Sequence, residues 1–239
     1  MNHTLDHVDI LAFGVHPDDV ELGCSGTIMK HINQGKTVGI VDFTRGELGT
    51  RGNGLLRLEE AQTAAKILGV KFRYNLNMRD GFFQIDELNI RKVAGAIRRH
   101  RPKVLLANSL EDRHPDHGRA AKLTREAAFY SGLVKIDIDE LVPWRPKSIY
   151  HYIQDHNLTP DILVDVSDFV DRKFDSIKAF SSQFFIDDND GTHTPISNKQ
   201  FMDFLKAKMA TYGRPIQADY AEGFNVTRAV GIDDLFQLL

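Results

Sequence analysis

Two tetrapeptides carry most of the chemistry legible in this chain: His16-Pro17-Asp18-Asp19 and, far downstream, His114-Pro115-Asp116-His117. Together they bring three imidazoles and three carboxylates, enough for a divalent-metal site with acid–base groups to spare. His16, Asp19 and His117 offer two nitrogens and one oxygen, a donor set suited to zinc and acceptable to other divalent ions. Three protein ligands leave a position for water, whose pKa such an ion lowers towards roughly 7. Asp18 lies beside a ligand without having to be one, so it can take the water's proton. His114, a turn before His117, can serve as a cationic acid opposite it. Asp116 can fix the tautomer of His114 and keep it charged.

Either tetrapeptide alone reads better as a helix cap, because a carboxylate just before a helix commonly accepts its first backbone N–H groups. Two His-Pro-Asp triplets in equivalent settings are poorly explained that way. Each follows an apolar run and leads into a helical pattern. In a parallel α/β sheet such strand ends share one edge, where distant segments can meet.

The flanking pattern supports that geometry. Residues 8–15 and 37–44 are short apolar runs, as expected of strands buried on both faces. Residues 22–34 and 56–68 carry helical periodicity and stop at Gly35 and Gly69, in the manner of glycine C-caps. Between them, residues 46–54 hold four glycines and read as a mobile loop. A strand at 72–76, a helix at 88–100 ending before Pro102, a strand at 103–108 and a helix from Pro115 to about Ser131 complete a βαβαβαβα alternation. That order predicts a Rossmann-like three-layer α/β sandwich with a largely parallel sheet and right-handed crossovers. Strands at 148–153 and 162–166, and helices at 168–184 and 198–212, form a less regular C-terminal extension. No repeat or long linker divides the chain, so residues 1–239 read as one domain.

Composition removes several classes of function. A net charge of -3 provides no basic field for nucleic acid. The cluster Arg98-Arg99-His100-Arg101 closes a helix, where cations suit the macrodipole. The only cysteine, Cys24, excludes an intrachain disulfide and reads as a small buried hydrophobe. The polar, acidic start lacks the pattern of a signal peptide, and no apolar run is long enough for a membrane span, so a cytoplasmic protein is expected. The first strand–helix turn lacks G-x-G-x-x-G, and its carboxylates would repel a pyrophosphate.

The segments GVHPDDVELGCSGT, TRGELGTRG, LRLEEA, EDRHPDH and YAEGF resemble the LmbE/PIG-L-like zinc N-deacetylases, from about residue 8 to residue 226. Within that family they look most like the bacillithiol-biosynthesis deacetylases, which act on N-acetylglucosaminyl malate. The resemblance implies one zinc per subunit on His16, Asp19 and His117. It further implies Asp18 as general base, His114 as stabiliser of the oxyanion, and Asp116 as its charge partner. Arg57 would help to hold substrate, and a homo-oligomer is expected. Residues 53–56 read NGLL, more apolar than the family pattern leads one to expect.

Amide hydrolysis needs a nucleophilic hydroxide, a Lewis acid on the carbonyl and a proton for the leaving amine. A malate aglycone adds two carboxylates, which a guanidinium pairs as a bidentate fork. Arg45, Arg51, Arg57 and Arg113 are candidates, and Tyr220 can either reach substrate or pack beside Phe224. The segment 187–194 is a candidate interface or lid. Competing readings are another N-acetyl sugar conjugate or chitooligosaccharide, a metal-dependent phosphoesterase, and a metal-binding module without catalysis.

Overall fold

A computed structural model describes residues 6–184 and 194–238. Nearly all of the segment 187–194 thus lies outside the described residues. The chain runs β1 (Ile10–Gly14), α1 (Asp19–Asn33), β2 (Val38–Thr44), α2 (Gly54–Leu68), β3 (Phe72–Met78), α3 (Glu87–His100), β4 (Val104–Ala107) and α4 (Pro115–Ser131). It continues through β5 (Ser148–Tyr152), β6 (Ile162–Asp165), α5 (Val170–Lys178), α6 (Lys199–Gly213) and β7 (Ala221–Asn225).

The strands form one seven-stranded sheet in the order β3-β2-β1-β4-β5-β7-β6. The first five in that order are parallel, and β7 runs antiparallel to both β5 and β6. Every residue of β1 and β2 is buried, because helices cover both faces of the central sheet. Leu11 and Phe13 point into the core under α3 and α4, while Ile10 and Ala12 join the opposite core with Val20 and Ile28 of α1. The Phe13 and Phe43 rings pack 5.5 Å apart, and burying each contributes about 2 kcal/mol. The three-layer α/β architecture is therefore the expected one.

Two close approaches set the frame of the site. A Cβ on Gly23 would lie 2.2 Å from the Tyr152 ring, so only glycine lets α1 pack this closely on β5. Tyr152 is fully buried, and its hydroxyl donates to the Phe13 carbonyl at 2.8 Å. On the other face, Arg98, Arg99 and His100 close α3 as expected, and Arg98 does more than suit the helix end. It is 1% exposed and donates to the carbonyls of Ser131, Leu133, Ile136 and Leu141, stapling α3 to the chain beyond α4. His100 is buried as well, stacked on Phe72 at 4.1 Å.

Candidate active site

With β1 between β2 and β4, the chain leaves β1 towards one side and later returns to β4 on the other. Loops that diverge at such a switch point leave a crevice at the C-terminal ends of the strands. The two tetrapeptides occupy those loops. The His16 ring centroid lies 4.7 Å from that of His114 and 5.7 Å from that of His117. Asp19 joins the two segments, with Oδ1 3.2 Å from His117 Nε2 and Oδ2 3.8 Å from His16 Nδ1.

Asp19 is the most firmly held group of the site. Its Oδ2 accepts from the backbone N–H groups of Val15 and His16 at 2.9 and 2.8 Å, and from Asn108 Nδ2 at 3.0 Å. Its Oδ1 accepts from Gln154 Nε2 at 2.9 Å. Burial opposes its charge, but His117 and the other donors hold the carboxyl well below the usual carboxylate range.

Asp18 occupies the N-cap position of α1 and yet makes no side-chain cap bond. Its backbone sits at φ 120°, ψ -23°, a region that costs a non-glycine residue about 1–3 kcal/mol. That strain turns the carboxylate to Arg57, whose Nη2 lies 2.9 Å from Asp18 Oδ2. Burial pushes the Asp18 carboxyl up to about 7, against the pull of Arg57. A simple capping role is thereby excluded.

Two expectations about the second tetrapeptide are corrected. His114 is itself the N-cap of α4, its Nδ1 accepting the Asp116 N–H at 3.2 Å. The ring's proton is then assigned to Nε2, making it a neutral donor. Burial and the neighbouring His16 and His117 lower its pKa rather than raise it, so it is not held as a cation. The Asp116 carboxylate does pull the His114 pKa up, but less than burial, His16 and His117 pull it down. Its own contacts are Arg119 Nη1 at 2.5 Å, the Gly81 N–H at 2.9 Å and His16 Nε2 at 3.7 Å.

The site opens into a cavity of about 390 Å³ lined by His16, Asp18, Asp19, His114 and His117 on one side. Leu48, Phe82, Phe201, Phe204 and Leu205 give it an apolar wall. Arg57 and Arg113 also line it. Arg57 is 4% exposed and fixed on Asp18 and the Pro17 carbonyl, whereas Arg113 is about half exposed at the rim and pairs with Asp155 at 2.5 Å. Arg51 and Tyr220 do not line the cavity. The Arg51 carbonyl accepts from Gln183, and Tyr220 packs in the core between α2, α5 and α6. A cavity of about 420 Å³ at the opposite edge of the sheet contains none of the tetrapeptide residues.

Several site residues escape a reading of the sequence. Asp80, Asn108 and Gln154 each follow a strand end, on β3, β4 and β5, and carry no spacing that marks them. Asp112 is within reach of such a reading, two residues before His114 in the same block.

A divalent ion fits this donor set. Potential ligand atoms of His16, His114 and His117 lie within 4.8 Å of one another, as do those of His16, Asp80 and Asp116. The trio His16, Asp19 and His117 is joined through the two Asp19 oxygens. Burial disfavours charge on both imidazoles, but Asp116 and Asp80 raise His16 to about 10, and Asp19 and Asp112 raise His117 to about 9. The carboxylates thus demand positive charge where a cation would sit.

Known proteins share this arrangement of chain. The family model for PIG-L, GlcNAc-PI de-N-acetylase, matches residues 11–128. The diacetylchitobiose deacetylase of Thermococcus kodakarensis is 31% identical over 186 residues, covering 73% of this chain and 70% of the relative. Among solved structures, the conserved protein TT1542 from Thermus thermophilus aligns at TM-score 0.86 and 34% identity, covering 95% of this chain and 98% of that one. The N,N'-diacetylchitobiose deacetylase from Pyrococcus horikoshii aligns at TM-score 0.78 and 26% identity, covering 96% and 88%. Sequence and fold agree that this chain belongs to the PIG-L family.

Proposed function

We propose that the protein is a metal-dependent N-deacetylase of an N-acetylglucosaminide, releasing acetate and the free amine. The observation that carries this reading is the meeting of both tetrapeptides around Asp19, with Asp18 beside them on Arg57. His16, Asp19 and His117 would hold one zinc per subunit, and other divalent ions suit the same donors. A bound ion there supplies a Lewis acid for the amide carbonyl and a more acidic water.

The chain's own groups complete the reaction. Asp18 takes the proton of the attacking water and passes it to the departing nitrogen as the C–N bond breaks. His114 donates its Nε2–H to the carbonyl oxygen as negative charge builds there. Asp116 acts at one remove, holding the start of α4 against Gly81 and facing His16. Arg57 keeps Asp18 ionised and aimed.

The substrate is a small N-acetyl sugar in the 390 Å³ cavity. For the aglycone we favour malate, supported by Arg113 at the rim of the cavity. A chitooligosaccharide end is the second reading, favoured by the 31% identity to a diacetylchitobiose deacetylase. Acetate release is measured from N-acetylglucosaminyl malate, diacetylchitobiose and N-acetylglucosamine, with zinc-loaded and chelated protein. Release from none of them by the zinc-loaded protein rejects the proposal. A higher kcat/KM for the disaccharide than for the malate conjugate selects the second reading.

A further inference from the structure

We propose that Asp80 and Asp112 are positioning residues of the metal centre, each fixing one imidazole ligand and tying a wall of the cavity to it. The inference rests on the metal-dependent reading of the site. Neither residue belongs to a tetrapeptide. Asp80 Oδ1 lies 3.0 Å from His16 Nε2, and Asp112 Oδ2 lies 2.5 Å from His117 Nδ1. Both carboxylates are withdrawn from water, with side chains 5% and 1% exposed.

An imidazole facing a carboxylate carries its proton on the facing nitrogen and presents its lone pair from the other. Asp80 therefore selects Nδ1 of His16 as the free nitrogen, and Asp112 selects Nε2 of His117. Those are opposite atoms of the two rings. Each is also the nitrogen directed at Asp19, at 3.8 and 3.2 Å respectively. Two unrelated loops thus choose complementary tautomers that converge on one carboxylate.

The remaining oxygens bind backbone N–H groups of neighbouring loops. Asp80 Oδ2 accepts the Leu48 N–H at 2.9 Å, and Asp112 Oδ1 accepts the His156 N–H at 2.7 Å. Leu48 lines the cavity, and His156 follows the lining residue Asp155, so each carboxylate links a metal-facing histidine to a segment at or next to the substrate wall.

The test is zinc affinity, measured on the full-length protein by competition with a chromogenic chelator. Asp80→Ala and Asp112→Ala are each expected to weaken zinc binding about 10- to 100-fold. Asp80→Asn and Asp112→Asn, which still accept the ring N–H, are expected to recover most of that loss. Amide exchange should quicken at Leu48 in Asp80→Ala and at His156 in Asp112→Ala. Wild-type affinity in the alanine variants overturns the proposal, even if their melting temperatures fall. Should the alanine variants not fold, Asp80→Ser and Asp112→Ser, too short to reach the ring nitrogen, take their place: weaker zinc binding supports the proposal, and wild-type affinity overturns it. A second zinc equivalent that disappears in Asp80→Asn makes Asp80 a ligand and also overturns it. Wild-type protein that binds no stoichiometric zinc refutes the metal-dependent reading itself.

Discussion

Arg57 Nη2 sits 2.9 Å from Asp18 Oδ2 with both side chains buried, so the arginine expected to hold substrate instead holds the group proposed as base. The same guanidinium donates to the Pro17 carbonyl at 2.5 Å and, more weakly, to that of Gly46 at 3.4 Å. One planar fork thereby joins the first tetrapeptide, the glycine-bearing loop and α2. A lysine has the charge but not the fork.

Arg57→Lys should therefore lower kcat about 10- to 100-fold, the scale of a misplaced catalytic group, with a smaller change in KM. A loss confined to KM would assign Arg57 to substrate alone. Asp18 works as a carboxylate, so activity is lost as pH falls through its pKa, near 7 in the metal-free protein. Arg57 pulls that pKa down, and Arg57→Gln should move the acid limb of kcat/KM to higher pH.

Gly46 makes room for this contact. Its φ is +63°, and an added Cβ would lie 2.1 Å from Arg57 Nη1. Gly46→Ala should cost about 1–2 kcal/mol from the left-handed backbone alone and displace Arg57 as well. A lowered melting temperature together with an Arg57-like loss of kcat is expected. Unchanged kcat would mean that Arg57 can move without disturbing Asp18.

His114→Ala should keep its metal, measured by elemental analysis, while kcat falls about 100- to 1,000-fold, as when one oxyanion donor is removed. Because His114 also caps α4, the variant should lose about 1 kcal/mol of stability. Unchanged kcat would remove His114 from the chemistry and leave it a cap.

Metal binding should release protons. In the metal-free protein His16 and His117 titrate near 10 and 9, so both hold a proton at pH 7 that a coordinated cation must displace. Calorimetry in buffers of different ionisation enthalpy should report about two protons released per zinc, with affinity rising with pH up to that range. Heats independent of the buffer would contradict the assignment of these two imidazoles as ligands.

The alternation of strands and helices up to α4 is legible because each element carries its own period and stop signal, from Gly35 and Gly69 to Pro102. The switch point is not, since strand order depends on contacts between distant segments. β7 is hidden for a related reason. Its Glu222 is a lone carboxylate in the sequence, and only folding sets it on Lys173 and on the N–H groups of Gly26 and Thr27. In the site, the paired His-Pro-Asp triplets are visible as letters, whereas their partners are not. Asp80 is a lone carboxylate in sequence, and only folding sets it 3.0 Å from His16. Proximity in the chain pairs Asp116 with His114, but the helix start uses the His114 nitrogen that such a pair requires.

The most direct test of the account is Asp18→Ala, assayed for bound zinc and for acetate release from the best N-acetylglucosaminide. Asp18 lies next to a proposed ligand but contributes no donor to the metal. One zinc per chain is expected, as in wild type, with acetate release lowered about 100- to 10,000-fold, the range supplied by a positioned base. Full zinc content with undiminished acetate release would contradict the role of Asp18 as base.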